Sequence, residues 1–195
     1  MARHDSETEC WNEFRNGSEA AFARLYSTYF KPLYNYGCQL CRDSELVKDC
    51  LQNIFIDLRL NREKRGEVHS VKHYLYATLR HRIMREMSSR HYLHAQLSEE
   101  YAFQMVIPYE DQWIASQITQ TQREALERAV RQLTPRQREV IFLRFYENLS
   151  YEEISAIMAF RDAKSARNLV SKAICSLREK LPHPVLLVLV MLLRP

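Results

Sequence analysis

Apolar side chains recur at three- and four-residue steps along most of this chain, and short polar breaks cut the rhythm into segments, a pattern that predicts helices. The first long segment, AAFARLYSTYFKPLYNYGCQL, follows Ser18 and Glu19 and carries Phe22, Leu25, Tyr26, Tyr29, Leu33, Tyr36 and Leu40 in one stripe. Such an aromatic stripe reads as a core helix, bent near Pro32, where the backbone lacks an N–H. The next, SELVKDCLQNIFIDLRL, sets Leu46, Val47, Cys50, Ile54, Phe55 and Leu58 against a polar side with Asp49, Gln52 and Asn53. An acidic-polar face does not favour nucleic acid; it suits a protein partner, or equally it is a solvated face. A third segment, VKHYLYATLRHRIMREM, interleaves His73, Tyr74 and Tyr76 with Lys72, Arg80, His81, Arg82 and Arg85. Aromatic faces stack on unpaired bases while cations follow phosphates, which fits single-stranded nucleic acid. A basic amphipathic helix with buried tyrosines fits the same spacing.

The last third, Leu133 to Leu181, contains three helix starts. Thr134, with Pro135 at the first helical position and Gln137 three residues after the cap, marks one, and Val140, Ile141, Leu143 and Phe145 form its buried side. Ser150 and Glu153 make a capping box flanked by Leu149 and Ile154 as a hydrophobic staple, so a helix begins at Tyr151 and carries Ile154, Ile157 and Met158 inward. The pattern breaks over Ala159 to Arg161 and restarts at Asp162, a second N-cap. In this final helix Ala166, Leu169, Val170, Ala173, Ile174 and Leu177 form the apolar stripe. Lys164, Ser165, Arg167, Asn168, Ser171 and Lys172 are left on or near the outward side. Helix, turn and basic helix in this order suit the major groove, where short polar side chains reach base edges and cations reach phosphates. The plainer reading is an amphipathic helix with a solvated basic face.

Composition narrows the choice. At 195 residues with 46% hydrophobic residues, the chain has room for one or two compact domains, and only three glycines argue against a turn-rich β architecture or a phosphate-cradling loop. The net charge of +4 is small but unevenly placed. From Arg59 to His94 nine Lys or Arg face three Glu, alongside five of the seven histidines, a density that fits a polyanion partner. From Ala95 to Thr121 the only charges are Glu99, Glu100, Glu110 and Asp111, a change of character that marks a linker. The expected fold class is therefore all-α: a helical domain over 8–94, a flexible linker over 95–121, a second helical domain over 122–181 and an apolar tail over 182–195. Five cysteines and no signal peptide point to a reducing cytoplasm. Cys38 and Cys41 form a CxxC without a second pair, so they read as structural thiols, with a redox switch or an adventitious metal site as the lesser alternatives. No cofactor and no catalysis are expected, and no Walker-type loop supplies nucleotide hydrolysis.

The order of these elements resembles the extracytoplasmic-function sigma factors of bacterial RNA polymerase, over roughly Glu19 to Leu181. AAFARLYSTYFKPLYNY is similar to the opening helix of that family's region 2, and in KDCLQNIFIDL the residues Asp49, Gln52 and Phe55 fall on its characteristic Asp, Gln and Phe positions. The resemblance implies that the face of Asp49, Gln52 and Asn53 docks on the clamp helices of the polymerase's largest subunit. VKHYLYATLRHRIMRE is similar to the promoter-melting and minus-10 segment, which implies contacts to the opened strand through Lys72, Tyr74, Arg80, His81 and Arg85. The preceding loop, NREKRGEVHS, stands where the family captures a flipped-out base. LTPRQREVIFLRFYENLSYEEISAIM with SARNLVSKAICSLREKL resembles region 4, which implies binding of the minus-35 duplex through Lys164, Ser165, Arg167, Asn168 and Lys172, together with the polymerase flap. The acidic linker stands where housekeeping sigma factors carry a central domain.

Three features depart from the family. His81 replaces a common Asn, the turn AFRD is one residue longer than the usual Gly-containing turn, and the chain ends in PHPVLLVLVMLLRP. The apolar run Val185 to Leu193 would span only ~14 Å as a helix against a hydrocarbon core of ~30 Å, so it is not a membrane span; it suits packing on region 4 or contact with a protein. Taken together, the sequence points to a cytoplasmic transcription initiation factor whose partners are core polymerase, promoter DNA and, as the family implies, an anti-sigma factor, possibly membrane-anchored. Two rivals stay in view. One is a helix-turn-helix regulator that does not bind polymerase; the other is a metal hydrolase built on Cys38, Cys41 and a histidine.

Overall fold

The computed structural model describes residues 2–93, 102–105 and 119–181; the tail 182–195 and most of the stretch 95–121 lie outside the described residues. Among the described residues every regular element is helical. The chain divides into two compact units, the first ending at Ala102 and the second beginning at Phe103.

The first unit holds α1 (Ala2–Arg15), α2 (Glu19–Leu40), α3 (Ser44–Leu60), a 3-10 turn (Arg62–Lys64) and α4 (Val71–Leu93). Ser18 caps α2 by accepting from Ala21 N, and Asp43 caps α3 by accepting from Glu45 N and Leu46 N. Leu25, Tyr29, Leu33, Tyr36 and Leu40 of α2 are buried against Leu46, Val47, Cys50, Leu51, Ile54, Phe55 and Leu58 of α3 and Leu75, Tyr76, Leu79 and Ile83 of α4. Pro32 sits inside α2 without ending it. Where the three helices meet, Gly37 allows the closest approach, since a Cβ there would stand 2.5 Å from Val47 Cγ1 and 3.3 Å from Ile83 Cδ1.

Two expectations for this unit are corrected. Tyr26, expected in the core stripe, is 43% exposed, and Phe22 is half-buried. Together with Phe30 and Tyr34 they line a separate i, i+4 ladder beside the buried one, stacking ring on ring and against Phe55. The unit also contains α1, whose fully buried Trp11 and Phe14 complete the core.

The second unit holds α5 (Gln120–Arg131), α6 (Pro135–Ile141), a π-helical segment (Phe142–Tyr146), α7 (Tyr151–Ile157) and α8 (Ala163–Lys180). Reciprocal capping boxes at Thr119/Gln122, Thr134/Gln137 and Ser150/Glu153 start α5, α6 and α7, and Asp162 caps α8. α8 packs on α5, α6 and α7 through Ala166, Val170, Ala173 and Leu177. Five consecutive residues, Glu139 to Leu143, are buried where α6 passes into the π winding, so Phe142 lies inside and Phe145, expected inside, is only half-buried. Phe103, which falls within the 95–121 stretch, is buried against Phe142 at 5.6 Å between centroids, and its carbonyl accepts from Arg138 Nε at 2.6 Å.

Three helix ends use the same device, a residue at positive φ followed by a long backward hydrogen bond. Gly17 (φ 99°) ends α1 with Ser18 N donating to Glu13 O, and Ala159 (φ 52°) ends α7 with Phe160 N donating to Ser155 O. Asn148 (φ 53°) follows the π segment, and there the bond runs from Leu149 N to Leu143 O, one residue longer because of the wider winding. Each is followed within three residues by an N-cap, so stop and restart are coded side by side.

Candidate nucleic-acid and partner-binding sites

The outward face of α8 follows from its caps and its stripe. With Ala166, Val170, Ala173 and Leu177 turned inward, Lys164, Arg167, Asn168 and Lys172 are exposed together. Ser165 differs from the rest of the set. Its N–H and hydroxyl both bind Asp162 Oδ1, at 2.7 and 2.8 Å, so its proton serves the cap of α8. The same two bonds hold the Asp162 carboxyl below the usual aspartate range. Arg167 lays its guanidinium on the ring of Tyr151, 5.0 Å from the centroid, and Arg136 does the same on Phe160 in the turn between α7 and α8, also at 5.0 Å. The Phe160 of the long AFRD turn is thus covered by a cation.

In the first unit the structure brings together two groups of residues that the sequence kept apart. Asp49 and Asn53 of α3 line the same groove as His81 and Arg85 of α4, a cleft of about 800 Å³ whose wall also carries Arg82, Glu86, Asp57 and the exposed Ile56 and Leu60. Gln52 is exposed on α3 but does not line it. Carboxylates and guanidiniums therefore alternate over an apolar floor, and the groove can take a partner surface of mixed character. Beneath it, burial raises the Cys50 thiol to about 11, helped by the nearby Glu86 carboxylate. Of the CxxC residues, Cys41 is buried and Cys38 half-buried.

The five residues assigned to the opened strand do not share one side of α4. At 100° per residue Lys72 and Arg80 lie on one side and Tyr74, His81 and Arg85 on roughly the opposite one. Lys72 Nζ stands over the buried ring of Tyr76 at 5.8 Å, whereas Tyr74 faces α1 and the loop before α4.

That loop, residues 61–70, is pinned from several directions. Trp11 Nε1 donates to Gly66 O at 3.2 Å, and its ring meets Tyr74 edge-on at 5.6 Å. Arg65 donates to Tyr74 Oη at 3.1 Å and pairs with Asp57. Arg62 donates to Glu19 at 2.8 Å, and Arg59 adds a second contact at 3.1 Å. Chiefly through the Arg62 bond, the Glu19 carboxyl is held below its usual range. Trp11 was not among the residues singled out from the sequence. The signal that could have found it is the pair Trp11 and Phe14, three residues apart ahead of Gly17 and the Ser18 cap.

No curated protein matches the chain. Residues 123–173 match the family described as Sigma-70, region 4. The matched stretch runs from α5 into α8, takes in the whole of α7, the turn and the outward residues Lys164 to Lys172, and supports a sigma-70-type, DNA-binding role for this part of the chain.

Proposed function

We propose that this protein is a bacterial RNA polymerase sigma factor of the extracytoplasmic-function type, which directs core polymerase to specific promoters and assists their opening. The observation that carries the reading is the similarity of residues 123–173 to Sigma-70 region 4, laid over a helix-turn-helix whose second helix has an exposed basic face. In this reading Lys164, Arg167, Asn168 and Lys172 meet the minus-35 duplex, and Ser165 holds the start of the recognition helix. Asp49, Gln52 and Asn53 dock on the polymerase, and Lys72, Tyr74, Arg80, His81 and Arg85 serve the opened minus-10 strand. The basic density from Arg59 to Arg85 supports the last assignment. Opening is then driven by binding of extruded bases, which offsets an unstacking cost of a few kcal/mol, and the chain needs no catalysis of its own. An anti-sigma factor would act by occluding the docking faces.

The test is copurification of the full chain with core polymerase at modest salt, followed by sequencing of the transcripts that the assembled enzyme makes on genomic DNA. Promoter-specific transcripts that depend on the chain are expected. Duplex binding without polymerase binding would sink the reading and leave a stand-alone helix-turn-helix regulator.

A further inference from the structure

Leu93 ends α4 and Gln120 starts α5; Phe103 stands between them and is fully buried in the second unit. Its ring heads a row of three, 5.6 Å from Phe142, which in turn lies 5.0 Å from the exposed Tyr146. Its carbonyl accepts from Arg138 Nε at 2.6 Å, and the same guanidinium donates through Nη1 to Leu133 O at 2.6 Å and to Arg131 O at 3.2 Å. Arg138 therefore ties Phe103 to the turn between α5 and α6. On either side the burial stops, since Ala102 and Met105 are half-buried and Gln104 is exposed. The strip is fastened chiefly by one ring and one charge-assisted hydrogen bond, a contact small enough to open without unfolding the helices beneath it.

The fastening changes how far the chain can reach. With Phe103 held, residues 94–102 are all that connect α4 to the second unit, and they span at most ~36 Å fully extended. With Phe103 released, the connection runs to Thr119, the cap of α5, and spans up to ~90 Å. Minus-10 and minus-35 elements lie, by name, about 25 base pairs apart, roughly 85 Å at ~3.4 Å per base pair. Even with a radius of roughly 16 Å added for each unit, the shorter connection falls below that distance, and the longer one does not.

We propose that Phe103 and Arg138 form a releasable clasp that sets the reach between the two units, closed in the free chain and opened when both promoter elements are engaged. The inference rests on the reading of the chain as a promoter-binding factor and adds to it a residue that decides which spacing can be bridged. A closed clasp lowers the apparent affinity for a two-element promoter by the fraction of chains in which it is open, and it leaves each unit able to bind its own element.

Small-angle scattering of the full chain tests the clasp without DNA. Phe103→Ala should free the strip and raise the root-mean-square span of the connection by roughly 10 Å, at ~5–6 Å × √n, so the pair-distance distribution should broaden. An unchanged distribution in the folded variant overturns the proposal. A second measurement assembles the chain with core polymerase and titrates it onto a two-element promoter and onto a duplex carrying the minus-35 element alone. Phe103→Ala should gain about tenfold on the first and nothing on the second, and Phe103→Leu, which refills part of the slot, should fall between parent and Phe103→Ala. Where Phe103→Ala does not fold, a Gly/Ser insertion of about twelve residues between Ser98 and Glu99 lengthens the short connection with Phe103 in place, and it should give the same gain on the two-element promoter. No gain, or an equal gain on both DNAs, overturns the clasp. A parent assembly that binds neither DNA overturns the promoter-binding reading, whereas the scattering result decides separately whether Phe103 fastens the strip.

Discussion

At Ala159 the backbone takes a left-handed conformation, φ 52°, in the turn that feeds α8. For an L-residue this costs roughly 1–2 kcal/mol, which is why glycine usually fills the position after a helix end of this kind. Replacing Ala159 by Gly relieves that strain but adds freedom to the unfolded chain worth about 0.4–1 kcal/mol. The net expectation is a gain of about 0.5–1 kcal/mol in chemical denaturation of the full chain, and no gain would mean that the turn relaxes in solution. Three residues on, Asp162 couples the same turn to pH. Its folded-state pKa is lowered by the two Ser165 bonds below the unfolded value of about 3.9, so its stabilisation is present above that value and is lost as pH falls through the folded pKa. Asp162→Asn keeps an accepting oxygen without the charge. It should melt below the parent at neutral pH and converge with it in acid; a constant difference across that range would assign the effect to something other than the carboxylate.

Helices α2, α3, α6, α7 and α8 were legible because their signals are local: a cap, a partner three residues on and an apolar step that repeats. Helix α1 has no such stripe. Its stability comes from burying Trp11 and Phe14 beneath α2, α4 and the 61–70 loop, a tertiary fact that periodicity does not carry. The same limit applied to α5, a mostly polar helix that buries only Leu126, Ala129 and Val130. It applied to the candidate sites as well. The outward face of α8 follows from its own spacing, whereas the placing of Arg144 and Arg167 over one ring, that of Tyr151, and of Asp49 and Arg85 along one groove depends on how separate elements pack. For α1 the consequence can be measured. Trp11→Phe keeps an aromatic core but removes the N–H that holds Gly66 O, a bond worth about 1 kcal/mol. Amide hydrogen exchange should accelerate across residues 61–70 while α2 and α3 stay protected, and an unaltered loop would show that the arginine pairs alone hold it.

For the molecule as a whole, the decisive question is what occupies the groove between α3 and α4, because one set of side chains has been assigned to two partners. Asp49 and Asn53 belong to the proposed polymerase face and His81 and Arg85 to the proposed strand-binding face, yet all four line one cleft. Asp49→Arg separates the two uses by charge. It changes the groove from three carboxylates against two guanidiniums (Asp49, Asp57 and Glu86 with Arg82 and Arg85) to two against three. Asp49 is exposed and caps nothing, so the helices should survive the change. If the groove receives the polymerase through its carboxylates, core affinity should fall by about tenfold or more, an effect that weakens as salt rises, while duplex binding by the second unit is untouched. If instead the groove receives the opened strand, the added cation should tighten binding to a single-stranded minus-10 oligonucleotide and steepen its salt dependence. Measuring both affinities on one variant therefore assigns the groove, and a variant that changes neither would move both functions to other surfaces of the first unit.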